Sequence, residues 1–177
     1  MSVVKPYKRL YQSLVTIDDI DFNPSKIPEE LTLIANAIDK ETEEKLINLI
    51  NTPSSKRELI TIMNCLAKEF ENDLGCKLND KSVGILKPGQ EMREMQDLKY
   101  YNPCMVVMNL GSHTVLILRN KKDRSVYTIP LPRRSMFLYK DPKDLFERII
   151  DKRTEDFVGT KKLVRDVRYS VVFKSKK

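Results

Sequence analysis

The chain has 177 residues, of which 41% are hydrophobic and 32% are charged, a composition typical of a globular protein with a highly charged surface. It contains no apolar run of about 20 residues, the length that a membrane span needs. The first residues lack the apolar core of a signal peptide, so we expect a cytoplasmic protein without a membrane partner. The formal net charge of +7 favours a polyanionic partner such as nucleic acid. A lysine-rich surface that only keeps the protein dissolved is the alternative.

Cysteine and histidine usage limits the chemistry of the chain. Cys65, Cys76 and Cys104 are odd in number and widely spaced, without a C-x-x-C pair, which predicts buried reduced thiols instead of disulfides or a zinc site. His113 is the only histidine. The sequence also lacks a P-loop and a G-x-G-x-x-G motif, so it gives no sign of nucleotide chemistry.

Residues 1–30 differ in composition from the rest of the chain. They mix basic and aromatic residues with an acidic segment at residues 18–21, and three prolines argue against a long helix. We therefore predict an extended arm over residues 1–30, lying on the domain or on a partner, and one domain over residues 31–177.

The next stretch predicts a strand and two helices. Residues 31–35 form a short apolar run, and Asp39 is placed to cap a helix over residues 41–51. Ser55 and Glu58 have the spacing of a capping box and predict a second helix, ending near residue 71. Apolar residues recur along this helix at the spacing of one buried face: Leu59, Ile62, Met63, Leu66 and Phe70.

From residue 83 onward, short runs rich in Val, Ile and Leu predict strands. The candidate strands are residues 83–87, 105–109, 114–119, 126–131, 136–139, 149–151 and 167–173. Asp141 and Pro142 predict the start of a short helix that carries Leu145 and Phe146. Two helices followed by about seven antiparallel strands predict an α+β protein, a sandwich or barrel backed by helices.

Several ordered segments carry a family resemblance: residues 31–39, 83–97, 110–116, 131–135 and 168–174. In this order they resemble the opening strand, the iron-site hairpin, the S-L-G-S segment, the L-x-P-R-S turn and the last strand of the AlkB family of iron(II)/2-oxoglutarate dioxygenases. Residues 110–116 also resemble the corresponding segment of the sixth human AlkB homologue. The resemblance implies a double-stranded β-helix, or jelly roll, backed by two N-terminal helices.

The same resemblance implies that the iron site is degenerate. Where the family has the His and Asp of its H-x-D motif and its distal His, this chain has Met95, Asp97 and Asp151. A facial triad requires two imidazoles and one carboxylate, and a chain with one histidine cannot supply them. A weak Mg²⁺ site formed by the two aspartates is the alternative that the sequence leaves open.

The residues for the cosubstrate are also changed. Gly84 and Leu86 replace the Asn and Tyr that bind 2-oxoglutarate, and Lys174 replaces the second of two arginines, the first of which is Arg168. Lysine lacks the fork with which arginine holds a carboxylate. The stretch that holds the substrate lid in the family is short here. The resemblance therefore implies a pseudoenzyme without a cofactor.

Basic residues of the later loops are the candidate contacts to RNA. They are Arg119, Lys121, Lys122, Arg124, Lys161, Lys162, Arg165, Lys176 and Lys177. Loops at the ends of jelly-roll strands can converge at one rim, where these cations would bind phosphates in a salt-dependent manner. The leading hypothesis is an inactive AlkB-like protein that binds RNA or a ribonucleoprotein such as the ribosome, for instance as a dormancy (hibernation) or inhibitory factor. A protein-interaction scaffold and a residual oxygenase or demethylase that uses Asp97 are the alternatives.

Overall fold

The computed structural model describes residues 15–17, 20–22, 27–94, 97–158 and 160–177. Within these ranges the chain has a mixed α+β fold with mostly antiparallel sheets, which confirms the predicted class. The helices are α1 (Lys40–Ile50) and α2 (Lys56–Leu74). The strands are β1 (Val15–Ile17), β2 (Ile20–Phe22), β3 (Leu31–Ile34), β4 (Asp80–Leu86), β5 (Met92–Glu94), β6 (Tyr101–Leu110), β7 (Thr114–Asn120), β8 (Val126–Leu131), β9 (Ser135–Lys140), β10 (Phe146–Ile150), β11 (Glu155–Val158), β12 (Lys161–Val164) and β13 (Arg168–Lys176).

The two helices follow the predicted apolar pattern, but only one begins with the predicted cap. The Asp39 carboxylate accepts a hydrogen bond from the Thr42 amide at 2.7 Å, so the predicted N-cap of α1 is confirmed. Ser55 makes no side-chain cap bond, and a 3₁₀ turn over Pro53–Ser55 leads into α2 instead. The predicted capping box is therefore wrong. α2 ends at Gly75, which has a left-handed φ of 66°, a common helix C-cap.

Two larger sheets form the body of the domain. One has five strands in the order β3-β9-β6-β13-β4, and the other has four strands in the order β5-β10-β7-β8. Neighbouring strands in both sheets are antiparallel. β11 pairs with β12 in a separate hairpin, and β1 pairs with β2 in another.

The five-stranded sheet is buried on both faces. In β6, Val106 and Met108 belong to the apolar cluster that includes the helices, whereas Met105 and Val107 belong to the cluster that includes the four-stranded sheet. This alternation follows from the two-residue period of a strand. It explains why β6 is an almost continuous apolar run, and it gives a three-layer order of helices, sheet and sheet.

The turns on either side of β7 define two ends of the sheet pair. We call the first the Gly111 end; it holds the turn of residues 111–113 and the start of β13, where Arg168 pairs with Leu86. We call the other the Lys122 end; it holds the turn of residues 121–125 and the end of β13, where Lys176 pairs with Tyr101. β10 runs from the Lys122 end to the Gly111 end, because Phe146 pairs with Asn120.

Three regions differ from the sequence-based expectations: the segment after Asp141, β5, and the hairpin of β11 and β12. The prediction of a short helix after Asp141 is wrong. The Asp141 carboxylate accepts hydrogen bonds from the amides of Leu145 and Phe146, and Phe146 begins β10. Strands β5, β11 and β12 were not predicted. The hairpin of β1 and β2 lies within the predicted arm, most of which falls outside the described residues. In the described ranges no helix is long and apolar enough to span a membrane.

Candidate functional site

A cavity of about 220 Å³ lies between the two large sheets. We call it the inter-sheet cavity. Apolar residues from both sheets line part of it, and the polar lining includes Ser82, Glu94, Arg148, Arg168 and Ser170. Two arginines in a mostly buried cavity make it a candidate site, since burial of a cation is costly unless something compensates its charge.

Arg148 occupies the centre of this region. Its guanidinium is 3% exposed, lies 2.7 Å from the Glu94 carboxylate and stacks over the Tyr139 ring at 5.3 Å from the ring centroid. Lys174 lies 3.8 Å from the same carboxylate. The pairing of Arg148 with Glu94 across β10 and β5 fixes this arrangement. We call Arg148, Glu94 and Lys174 the Glu94 cluster.

The two degenerate iron positions that the structure describes, Asp97 and Asp151, do not meet at one place. Met95 lies outside the described residues. Asp97 is exposed and lines a second cavity of about 230 Å³ with Arg148 and Lys174, at the Lys122 end. Asp151 follows β10 at the Gly111 end and lies 3.5 Å from Arg153.

The two aspartates lie at opposite ends of the sheet pair. The Asp97 carbonyl accepts from the amide of Tyr101, the first residue of β6 at the Lys122 end, whereas Asp151 follows β10 at the Gly111 end. The five residues of β10 alone span about 13 Å between these ends, at about 3.3 Å per residue. The two carboxylates therefore do not form one cation site, which corrects the Mg²⁺ alternative. The register instead brings Arg148 beside the end of β5. No group of three or more His, Cys, Asp or Glu within the described ranges is arranged to hold a metal.

Three of the predicted cosubstrate positions do come together. Gly84 and Arg168 line the inter-sheet cavity, and Leu86 pairs with Arg168 across β4 and β13. Gly84 leaves room for Ser170, since a Cβ at this position would lie 2.7 Å from the Ser170 hydroxyl. Lys174 lies further along β13, in the Glu94 cluster.

Arg168 is a buried cation without a carboxylate in ion-pair distance among the described residues. It is 5% exposed, and its Nε donates to Asn109 Oδ1. Burial lowers the pKa of Arg168 to about 10, and repulsion from Arg165 and Arg148 acts in the same direction, against the attraction of Glu94. The guanidinium nevertheless stays charged at neutral pH.

Asn109 is a central residue that sequence reasoning did not single out. It is fully buried, and its Nδ2 donates to the carbonyls of Ser112 at 3.0 Å, Leu131 at 3.2 Å and Pro132 at 2.9 Å. These carbonyls and Arg168 belong to three of the segments that carry the family resemblance. An amide at the end of an otherwise apolar strand was the available signal, because buried polar groups are hydrogen-bonded.

Arg165 is a structural residue. Its guanidinium forms two hydrogen bonds to Asp156, at 2.6 Å and 2.8 Å, and both side chains are at most 5% exposed. His113 Nε2 lies 3.5 Å from the same carboxylate. Burial raises the pKa of Asp156, but the hydrogen bonds from Arg165, together with the nearby His113, outweigh it and lower the pKa to about 2. Arg165 is therefore not available for a phosphate, contrary to its predicted role.

The other predicted RNA contacts do not form one rim. Lys161 and Lys162 lie on the β11–β12 hairpin, which follows β10 at the Gly111 end, whereas the turn of residues 121–125 lies at the opposite end. Acids neutralise three of them: Glu147 lies 3.7 Å from Arg119, Asp144 lies 2.7 Å from Lys121, and Glu155 lies 2.9 Å from Lys162. The expectation of a continuous surface is therefore corrected to two separate groups.

Four of the predicted RNA-binding residues are exposed at the Lys122 end. We call them the Lys122-end cations: Lys122, Arg124, Lys176 and Lys177. Within the described part of the chain none has a carboxylate in ion-pair distance. Lys177 Nζ donates to the carbonyl of Leu98 at 2.6 Å, which leaves its charge without an acidic partner.

Comparisons with known proteins give a relationship but no function. No protein-family model matches the chain. The chain is similar to "Uncharacterized protein L905" of Acanthamoeba polyphaga mimivirus, with 26% identity over 150 residues, which cover 78% of this chain and 71% of the viral protein.

Proposed function

We propose that this chain is a catalytically inactive relative of the AlkB dioxygenases that binds RNA or a ribonucleoprotein in the cytoplasm. The strand order supports a jelly-roll core. When β4–β10 and β13 are numbered one to eight, one sheet contains one, eight, three and six, and the other contains two, seven, four and five. An eight-stranded double sheet built from two Greek keys has this order. β3 extends one sheet, and the β11–β12 hairpin is an insertion before the last strand.

The ion pair of Arg148 with Glu94 is the main observation in favour of catalytic inactivity. By the resemblance, the H-x-D motif directly follows β5, so an iron centre would lie beside the end of this strand. Here a buried guanidinium lies 2.7 Å from the Glu94 carboxylate at this place. Its positive charge opposes the binding of a divalent cation, and one histidine in the whole sequence cannot replace the missing ligands.

The Lys122-end cations support the binding of a polyanion. They lie on two elements, the turn of residues 121–125 and the end of β13, at the same end of the domain, in a chain of net charge +7. Phosphate binding by lysine and arginine needs no base recognition and suits a large folded RNA. The ribosome is such a ribonucleoprotein, and a small domain that occupies one of its functional sites would act as a dormancy or inhibitory factor.

A salt series on wild-type and variant protein tests this proposal. The full chain is immobilised, incubated with lysate and washed at increasing salt, and the retained RNA and proteins are identified. Replacement of the four Lys122-end cations by Ala should weaken retention of ribosomal RNA. It should also reduce the salt slope by up to about 0.7–0.9 for each phosphate that the variant no longer neutralises.

The matched control removes the same charge from the Gly111 end. It replaces Lys152, Arg153, Lys161 and Lys162 by Ala, and it should leave RNA retention close to wild type. Equal losses of RNA retention in both variants would mean that the net charge of the protein, and not the Lys122-end cations in particular, accounts for the binding. Absence of ribosomal RNA from the wild-type sample at low salt would overturn the proposal.

A protein-interaction scaffold is the second candidate, and the β11–β12 hairpin favours it. Phe157 is 62% exposed and Val164 is 71% exposed. The register pairs Phe157 with Lys162 and Val164 with Glu155, so all four side chains share one face. Recovery of one discrete protein that resists both nuclease and salt, and that is lost after Phe157→Ser, would favour the scaffold.

A further inference from the structure

Two cysteines from separate elements lie next to each other. Cys76 follows Gly75, in the connection between α2 and β4, and Cys104 lies in β6. Their Sγ atoms are 3.1 Å apart, although the residues are 28 positions apart in sequence. Cys65 lies apart from this pair on an exposed position of α2.

The surroundings allow the two sulfurs to move into bonding distance. A disulfide has an S–S distance of about 2.05 Å, so the sulfurs need to approach by about 1 Å. Cys104 is held in β6, where it pairs with Lys140 of β9. Cys76 lies in the irregular segment before β4, and a short connection can supply this movement at little cost.

We propose that Cys76 and Cys104 are an oxidation-sensitive pair that forms a reversible disulfide in the presence of a hydroperoxide. The two thiols differ in access: Cys76 is half-buried, whereas Cys104 is buried. Burial raises the pKa of Cys104 to about 12, and the hydrogen bond with Cys76 acts in the same direction. The thiolate is the nucleophile, so Cys76 reacts first and Cys104 is the resolving thiol.

The chemistry balances with hydrogen peroxide as the oxidant. Cys76 thiolate attacks one peroxide oxygen, the O–O bond breaks, and the products are Cys76 sulfenic acid and hydroxide, which takes up the proton that the thiol released. Cys104 sulfur then attacks Cys76 sulfur, the S–O bond breaks, and the departing hydroxide leaves as water with the Cys104 proton. Two thiols and one peroxide become one disulfide and two waters, and two electrons pass from sulfur to oxygen. A dithiol reductant reverses the reaction by thiol–disulfide exchange.

The bond would connect two parts of the core beside the candidate site. Cys104 and Met105 line the cavity of about 230 Å³ that also includes Asp97 and Arg148. A cross-link between the end of α2 and β6 fixes this wall. Closure of a loop of this length constrains the unfolded chain, and we expect the melting temperature of the oxidised protein to rise by about 5–15 °C.

Thiol counting on the full-length protein tests the proposal. The reduced chain has three free thiols; after mild peroxide treatment and removal of the oxidant, the native monomer should have one. Digestion without reductant should give a peptide that joins Cys76 to Cys104. Reductant should restore all three thiols and reverse the rise in melting temperature.

Variants separate the pair from general oxidation. Cys65→Ser should keep the peroxide-induced rise in melting temperature, and Cys76→Ser and Cys104→Ser should each lose it. If Cys104→Ser fails to fold, the cross-linked peptide from wild type and the Cys76→Ser result decide the question. The proposal would be overturned by any of three results. These are three free thiols after treatment, a sulfinic acid at Cys76 without a cross-link, and disulfides that form through Cys65 alone.

Discussion

Arg168 donates from its Nε to Asn109 Oδ1, and this bond joins two side chains that are 5% and 0% exposed. The amide nitrogen of Asn109 bonds at the same time to carbonyls in the β6–β7 turn and at the end of β8. One amide thus holds the start of β13 against two turns at the Gly111 end. A buried arginine needs such a partner, since its charge has lost its hydration.

Replacement of Asn109 by Leu should strongly destabilise the protein. The variant keeps the volume but leaves the Arg168 cation and three carbonyls without their partner, and the expected loss is about 3–5 kcal/mol. Urea unfolding followed by circular dichroism measures it. Asn48→Ala is the control, because Asn48 is exposed on α1; a change within about 0.5 kcal/mol is typical of such positions. A loss below about 1 kcal/mol in Asn109→Leu would contradict the central role of this amide.

The sequence predicted the helices and the longer strands because their apolar pattern is local. α2 repeats apolar residues at helical spacing, and β6 and β7 are nearly continuous apolar runs. β5, β11 and β12 were missed for the same reason. They have three or four residues each with many charged side chains, and only their pairing with distant residues makes them strands.

The candidate site was less predictable because it depends on register. Spacing along the chain suggested Asp151 as a position of the former iron site, whereas the antiparallel pairing brings Arg148 next to Glu94. The bond between Asn109 and Arg168 and the contact between Cys76 and Cys104 span 59 and 28 positions. No local pattern contains such distances, and a one-residue change of register moves a side chain to the other face.

Glu43 is fully buried, and we expect its carboxylate to contribute strongly to the free energy of unfolding. The carboxylate is fully buried in α1 and accepts from Arg133 at 2.8 Å and from the Gly111 amide at 3.1 Å. Glu43→Gln removes the charge at constant size and turns an amide nitrogen toward these donors. The expected loss is about 2–4 kcal/mol in urea unfolding.

The neighbouring Glu44 provides the control for this prediction. Glu44 is exposed on the same helix, so Glu44→Gln changes the net charge identically without touching the arginines. We expect a change within about 0.5 kcal/mol. Similar losses in the two variants would mean that helix charge, and not the buried ion pair, accounts for the effect.

Asp156 should make stability depend on acid pH. Its pKa lies near 2 in the folded protein, below the ordinary value of 3.8, so the folded state binds the proton less readily than the unfolded state. The stabilisation is complete above pH 3.8 and is lost as pH falls through 2. Its size is about 2 kcal/mol by linkage.

The difference between wild type and Asp156→Asn isolates this contribution. The variant should be less stable than wild type at pH 7, and the difference should shrink between pH 4 and pH 2, as measured by thermal unfolding at each pH. Asp166→Asn serves as the control, since Asp166 is exposed. A difference that is independent of pH would show that Asp156 acts through packing and not through its charge.

Iron and 2-oxoglutarate should give no turnover with this chain. The place beside the end of β5 holds the Arg148–Glu94 ion pair, and Lys174 adds a second positive charge 3.8 Å from the same carboxylate. Succinate release from 2-oxoglutarate, with iron(II), ascorbate and methylated RNA present, should stay at the level of a heat-denatured sample. The variant Asp97→Ala should give the same baseline. Iron-dependent succinate that Asp97→Ala abolishes would instead support the residual oxygenase, because Asp97 is the one carboxylate left at an H-x-D position and a catalytic iron would need it as a ligand.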